Sequence, residues 1–202
     1  METKKSSTTT SKKKLTGASE VRMKTNPFHK LFLDELKDIY WAEKHLSKNL
    51  PKLAKGVTTE DLEDAFNSHL EETNEQIKKL ERVFELLEEK AVAKKCDAME
   101  GLVEEALGIL EDTEKDTWTR DAALISAAQK IEHYEIASYG ILAEFARTMG
   151  HDDVVLILEE ILEEEKGANE TLNELAIEGI NEEAFNEWNE EESEDEDSED
   201  EE

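Results

Sequence analysis

Apolar side chains recur every third or fourth residue along five stretches of the chain, the spacing that gathers them on one face of a helix. The first stretch predicts a long helix from Pro27 to Lys55, with Gly56 as its C-terminal stop. Pro51 lies inside that pattern and predicts a kink or early fraying. The second long helix starts after Thr58 or Thr59, where Glu60 and Asp61 suit the positive end of the helix dipole, and runs to about Glu89. A shorter segment from Asp97 to Asp112 places Met99, Leu102, Val103, Ala106 and Leu110 on one face. The third long helix begins between Thr117 and Thr119 and continues to Met149, closed by Gly150. The last is capped by His151 or Asp152 and ends near Ala176. Two long hairpins joined by a linking helix predict an all-α four-helix bundle with one long connection.

Composition supports that reading. With 2 prolines, 8 glycines and 6% aromatic residues in 202, the chain lacks the regular turn residues of an all-β sandwich or barrel. The length fits one domain plus tails. A single cysteine, Cys96, excludes an internal disulfide framework and a cysteine-based zinc site. No apolar run reaches the ~18 residues of a membrane span and no signal-peptide core is visible, so a cytoplasmic location is expected.

Charge refines the boundaries. Of a net −29, residues 178–202 carry −15 and residues 1–27 carry +5, which leaves −19 on 28–177. The Lys/Ser/Thr-rich stretch 1–27 and the acidic stretch 178–202 are both expected to be disordered tails around a bundle at 28–177. Phe185 and Trp188, near the start of the acidic tail, could dock on the bundle, but nothing in the sequence obliges it. A core this acidic is not expected to bind nucleic acid, because it repels phosphate backbones.

The candidate chemistry lies where the helical seams turn polar. In the first long helix the seam runs Phe32, Leu36, Ile39, Glu43, Leu46, Leu50, Leu53. In the second it runs Phe66, His69, Thr73, Gln76, Leu80, Val83, Leu87, with Glu72 beside His69. The third reads Asp121, Ile125, Ala128, Glu132, Glu135, Tyr139, Leu142, Ala146, and the last reads Val154, Ile157, Ile161, Glu164, Ala168, Thr171, Leu175. Each interruption falls near the middle of its helix, and in an antiparallel bundle the midpoints share one level. Carboxylates facing one another in an apolar interior repel and lose hydration. Raised proton affinity is one remedy; a divalent cation is a better one. Glu43, His69, Glu72, Glu132, Glu135 and Glu164 are therefore the candidate metal ligands, and their oxygen-rich set suits a di-metal centre of iron or manganese. Glu43 and Glu72 are 29 residues apart, as are Glu135 and Glu164, a spacing compatible with two pseudo-symmetric hairpins. Tyr139 is expected to pack in the core with its hydroxyl on a ligand carboxylate. His133 is expected beside the site or on the surface, Tyr40, Trp41 and His45 in packing, and Cys96 without a partner.

Five ordered blocks carry a resemblance: LFLDELKDIYWAEKHL, HLEETNEQIKKLERVFE, CDAMEGLVEEA, RDAALISAAQKIEHYEIASYG and LEEILEEEKGANETLNELA. In order and spacing, over about residues 28–177, they resemble the YciE/YciF-type ferritin-like bacterial stress proteins. The resemblance implies a homodimeric ferritin-like four-helix bundle with a short connecting helix, related to rubrerythrin and manganese catalase, and induction under stress. It makes Glu43 and Glu164 look like single ligands of the first and last long helices, and Glu132 with Glu135 look like a paired Glu-x-x-Glu. Neither Glu-x-x-His pair of such bundles is complete, since Glu75 follows Glu72 and Gly167 follows Glu164 at the third place. The leading expectation is a stress-associated di-metal protein with peroxide or oxygen chemistry. The competing one is a non-catalytic helical dimer that acts as a scaffold or interaction protein.

Overall fold

A computed structural model describes residues 25–187; Trp188 and most of both stretches expected to be disordered tails, 1–24 and 188–202, lie outside the described residues. Five helices follow in order: α1 Pro27–Ala54, α2 Glu60–Leu86, α3 Asp97–Asp112, α4 Trp118–Met149 and α5 Asp152–Leu175. The molecule is a ferritin-like four-helix bundle with an additional short connecting helix. α1 packs on α2 and α4, α5 packs on α4 and α2, and α3 lies across α1 and α4. Among the described residues no helix is long and apolar enough to cross a membrane.

Local chemistry sets each boundary. At the start of α1 the Asn26 side chain accepts from the Phe28 amide at 2.9 Å, and Pro27 occupies the first turn, where its missing N–H costs nothing. The helix then runs through Pro51 to Ala54, so the early fraying expected there does not occur. Gly56 does not act as the left-handed stop that its position suggests. Its lack of a side chain leaves room for α3: a Cβ there would lie 2.4 Å from Leu110 Cδ2, which would have to move aside. α2 ends at Leu86, short of the expected Glu89, where Glu88 turns to φ 56° and the Glu89 amide bonds back to the Phe84 carbonyl. Gly150 adopts φ 77° in the turn between α4 and α5, and the amides of Gly150 and His151 close the α4 terminus on Arg147 and Ala146.

A clasp of buried polar groups ties the α1–α2 loop to the start of α4. Asp121 Oδ1 accepts from the Thr58 amide (2.7 Å), and Oδ2 accepts from the Thr59 amide (2.8 Å) and hydroxyl (2.7 Å). Arg120 spreads its guanidinium over Thr113 Oγ1 (3.0 Å) and the carbonyls of Leu110 (3.1 Å) and Thr113. At the opposite end Phe28 and Phe145 meet edge to face at 4.8 Å, so α1 and α4 run antiparallel.

The helical body extends beyond the expected boundary at 177. A wider turn over Ala176–Ile180 leads into helical residues 181–187. Ile180 is buried against α4 and α5. Phe185, which was free to dock or not, is 79% exposed. Glu187 docks instead: its carboxylate accepts from the Trp118 amide, and from the Thr119 amide (2.9 Å) and hydroxyl (2.8 Å). These are amides at the start of α4 that have no intrahelical partner, and the helix dipole favours an anion there.

Candidate metal centre

Three of the four long helices bury the seams that their spacing predicts. Glu43, His69, Glu132 and Glu135 therefore enter the interior among Leu, Ile and Phe side chains. Glu132 and Glu135, nearly one turn apart on α4, point the same way. α5 contributes Glu165. One donor atom from each of His69, Glu132, Glu135 and Glu165 lies within 4.8 Å of the others, and all four residues are buried. His69 Nε2 stands 3.4 Å from Glu132 Oε1, and Nδ1 stands 3.9 Å from Glu72 Oε2. Glu43 completes the group from α1, with the Tyr139 hydroxyl donating to its Oε1.

Burial dominates the electrostatics. It pushes Glu43 up to about 7, although the Tyr139 bond and the nearby His69 pull the other way. Glu135 and Glu165 lie well above the usual carboxylate range, through burial first and then through the carboxylates around them. Glu132 is raised by burial, with His69 opposing. Burial disfavours the His69 imidazolium, but Glu132, Glu72 and Glu43 outweigh that and raise its proton affinity. Without a cation, the cluster relieves its repulsion by holding protons near neutral pH.

The residues fit a metal. Both oxygens of Glu135 and of Glu165, with Glu43 Oε2 and Glu132 Oε2, are buried and have no hydrogen-bond partner. Buried polar atoms are normally satisfied, so these lone pairs call for a proton or a cation. Donors bound at about 2.0–2.2 Å to one ion lie no more than about 4.4 Å apart, so four donors within 4.8 Å of one another can share an ion once the side chains draw inward. Four carboxylates with one imidazole suit iron or manganese.

Two of the expected ligands stand at the rim. The Glu72 side chain is 45% exposed. Glu164 is half-buried, with Oε1 2.5 Å from Lys79 Nζ and Oε2 accepting from Gln76 Nε2 at 3.3 Å. The seam of α5 is rotated by one position from the expected one: Leu158, Ile161, Glu165 and Leu172 face inward, and Thr171 faces out. The sequence pairs Ile157 with Leu158 and Glu164 with Glu165, so periodicity fits two adjacent faces equally. The seven-residue spacing of Leu158, Glu165 and Leu172 is the signal that would have pointed to Glu165.

The flanking residues have other partners. His133 is exposed and pairs Nδ1 with the Gln129 carbonyl at 2.8 Å. Tyr40 donates to Glu81 (2.8 Å), and Trp41 stacks on His45 at 4.5 Å. Cys96, expected to have no partner, is buried at the start of α3. Its sulfur accepts from the Met99 amide and lies 3.0 Å from the Tyr134 hydroxyl, which in turn donates to Asp38 (2.7 Å).

Residues 27–185 match the family described as a domain of unknown function, DUF892. The chain belongs to that family. Protein YciF of Escherichia coli (strain K12) is 48% identical over 157 residues, 77% of this DUF892 chain and 94% of YciF. The crystal structure of E. coli YciF, described as a stress protein, matches with a TM-score of 0.74 at 47% identity, over 78% of this chain and 99% of that one. YcfI of Rhodopseudomonas palustris matches with a TM-score of 0.71 at 42% identity, over 73% and 94%. A protein of Xanthomonas campestris pv. campestris, at 24% identity and a TM-score of 0.61, shares the fold.

Proposed function

We propose that the bundle core is a carboxylate-rich metal centre for iron or manganese, in a protein that serves the bacterial stress response. The observation that carries the metal reading is Glu135: a fully buried carboxylate with neither oxygen hydrogen-bonded, surrounded by Glu43, Glu132, Glu165 and His69. Those five side chains would hold the metal, with Glu72 at the rim. Bound iron or manganese would supply redox chemistry toward peroxide or oxygen. The protein's own part is to hold the donors. Tyr139 fixes one oxygen of Glu43, and Thr73 bonds to the His69 carbonyl at 2.8 Å. Leu46, Ile131 and Ile161 are buried apolar side chains on the same three helices as Glu43, Glu132 and Glu165. The stress assignment rests on the description of the E. coli relative.

Metal analysis of the full chain, purified without chelator or histidine tag and then loaded anaerobically with iron or manganese, tests the reading. Between one and two ions per chain are expected. Fewer than about 0.1 per chain would favour the second reading, a non-catalytic helical dimer acting as a scaffold. The exposed apolar side chains Leu31, Ile141 and Leu156 on three helices are available to a homodimer contact in either case.

A further inference from the structure

A cavity of about 300 Å³ lies between the metal-binding cluster and the clasped end of the bundle. Its inner wall is apolar: Leu46, Leu50 and Leu53 of α1, Phe66 of α2, Ile131 of α4 and Leu172 of α5. One end reaches His69 and Glu132. Its mouth opens between α2 and α5, where small side chains face each other: Ala65 and Ser68 on one helix, Gly167, Ala168 and Thr171 on the other. Ser68, Gly167 and Thr171 are exposed, and a Cβ added at Gly167 would meet nothing within 4 Å. Bulky residues at these places would have closed the seam between α2 and α5.

We infer that this cavity is a binding site for a small, neutral, apolar organic molecule, admitted between α2 and α5 and held with one end against His69 and Glu132. Three observations fix the class. An apolar cavity of roughly 150 Å³ already takes up benzene. A volume of about 300 Å³ therefore suits two fused rings or a chain of about eight carbons. The aliphatic and aromatic wall gains by excluding water and offers nothing to a polar body. Glu72 and Glu164 flank the mouth, so a ligand carboxylate would meet like charge as it enters. The site stands on this geometry whether or not a metal occupies the cluster.

1-Octanol is the probe and octanoate its charged counterpart. Calorimetric titration and thermal melting of the full chain should show saturable 1-octanol binding with a rise in Tm, and octanoate binding at least tenfold weaker. Gly167→Phe places a ring in the mouth from α5, and Ser68→Phe does so from α2. Each should weaken 1-octanol binding at least tenfold while manganese loading, measured in the same samples, stays at the wild-type level. Two variants from opposite helices keep the test alive if one fails to fold. Absence of 1-octanol binding, equal binding of octanoate, or full binding by both folded variants would overturn the inference. Loss of manganese loading with 1-octanol binding intact would count against the metal centre alone.

Discussion

The Tyr139 hydroxyl donates to Oε1 of Glu43 and leaves Oε2, equally buried, with no donor. This bond lowers the proton affinity of a carboxyl that burial has raised to about 7, and it fixes which oxygen stays free. Partners of this kind typically contribute about 10- to 100-fold to metal affinity. Tyr139→Phe should therefore weaken manganese binding at pH 7 by about that factor, with helicity unchanged. The loss should shrink at pH 8.5, where Glu43 ionises without help. A chelator competition series at the two pH values checks both statements.

The metal-free protein should lose stability as pH rises. An unfolded Glu ionises near 4.3, whereas folded Glu43 holds its proton to about 7 and Glu135 and Glu165 hold theirs higher still. The folded state therefore binds more protons in this window. Its advantage is complete below the unfolded value and lost as pH climbs through the folded ones. Calorimetry with EDTA should show Tm falling between pH 5 and pH 8, and falling less in Glu135→Leu, while manganese should restore Tm at pH 8. A metal-free Tm that rises over the same range would contradict protonated carboxyls in the core.

Glu135→Leu should have effects of opposite sign in the two states. Without metal it removes a buried carboxyl with no partner and should stabilise by about 1–3 kcal/mol. With manganese it should lose the thermal shift that ligand binding gives the wild type. Melting both proteins with and without manganese checks this. A variant destabilised in both conditions would assign Glu135 to packing.

Truncation should separate two parts of the acidic C-terminal stretch. Deleting 188–202 should leave Tm nearly unchanged, because dense like charge adds repulsion rather than packing. Deleting 178–202 also removes buried Ile180 and the Glu187 cap, and should cost about 2–4 kcal/mol. Urea titrations of the two shortened chains would show the difference as separate midpoints.

Most of the bundle was legible because each long seam combines strict spacing with a change of chemistry. On α1, α2 and α4 one face is apolar and its neighbours are charged, so Glu43, His69, Glu132 and Glu135 followed directly. α5 was not legible in the same way. Its LILEEILEEE run repeats each residue type at adjacent positions, and packing against α2 and α4 selects Glu165, on the face of Leu158 and Leu172, over Glu164. The helical segment beyond 177 was hidden for another reason. Composition marked 178–202 as a solvated tail, but one apolar residue, Ile180, and one well-placed anion, Glu187, suffice to dock a segment on a helix start that already needs acceptors.

The contacts of Asp121 and Glu187 also bear on how the chain assembles. The amides leading into α2 are satisfied by Asp121, more than sixty residues downstream, and those that open α4 by Glu187, nearly seventy residues further on. Neither long helix has its start completed by its own hairpin. As the polypeptide leaves the ribosome N-terminus first, the first hairpin must wait for the second, and the second must wait for the segment after α5. Synthesis order therefore favours folding in one late, concerted step, with the early hairpin unfinished until nearly all of the bundle has emerged.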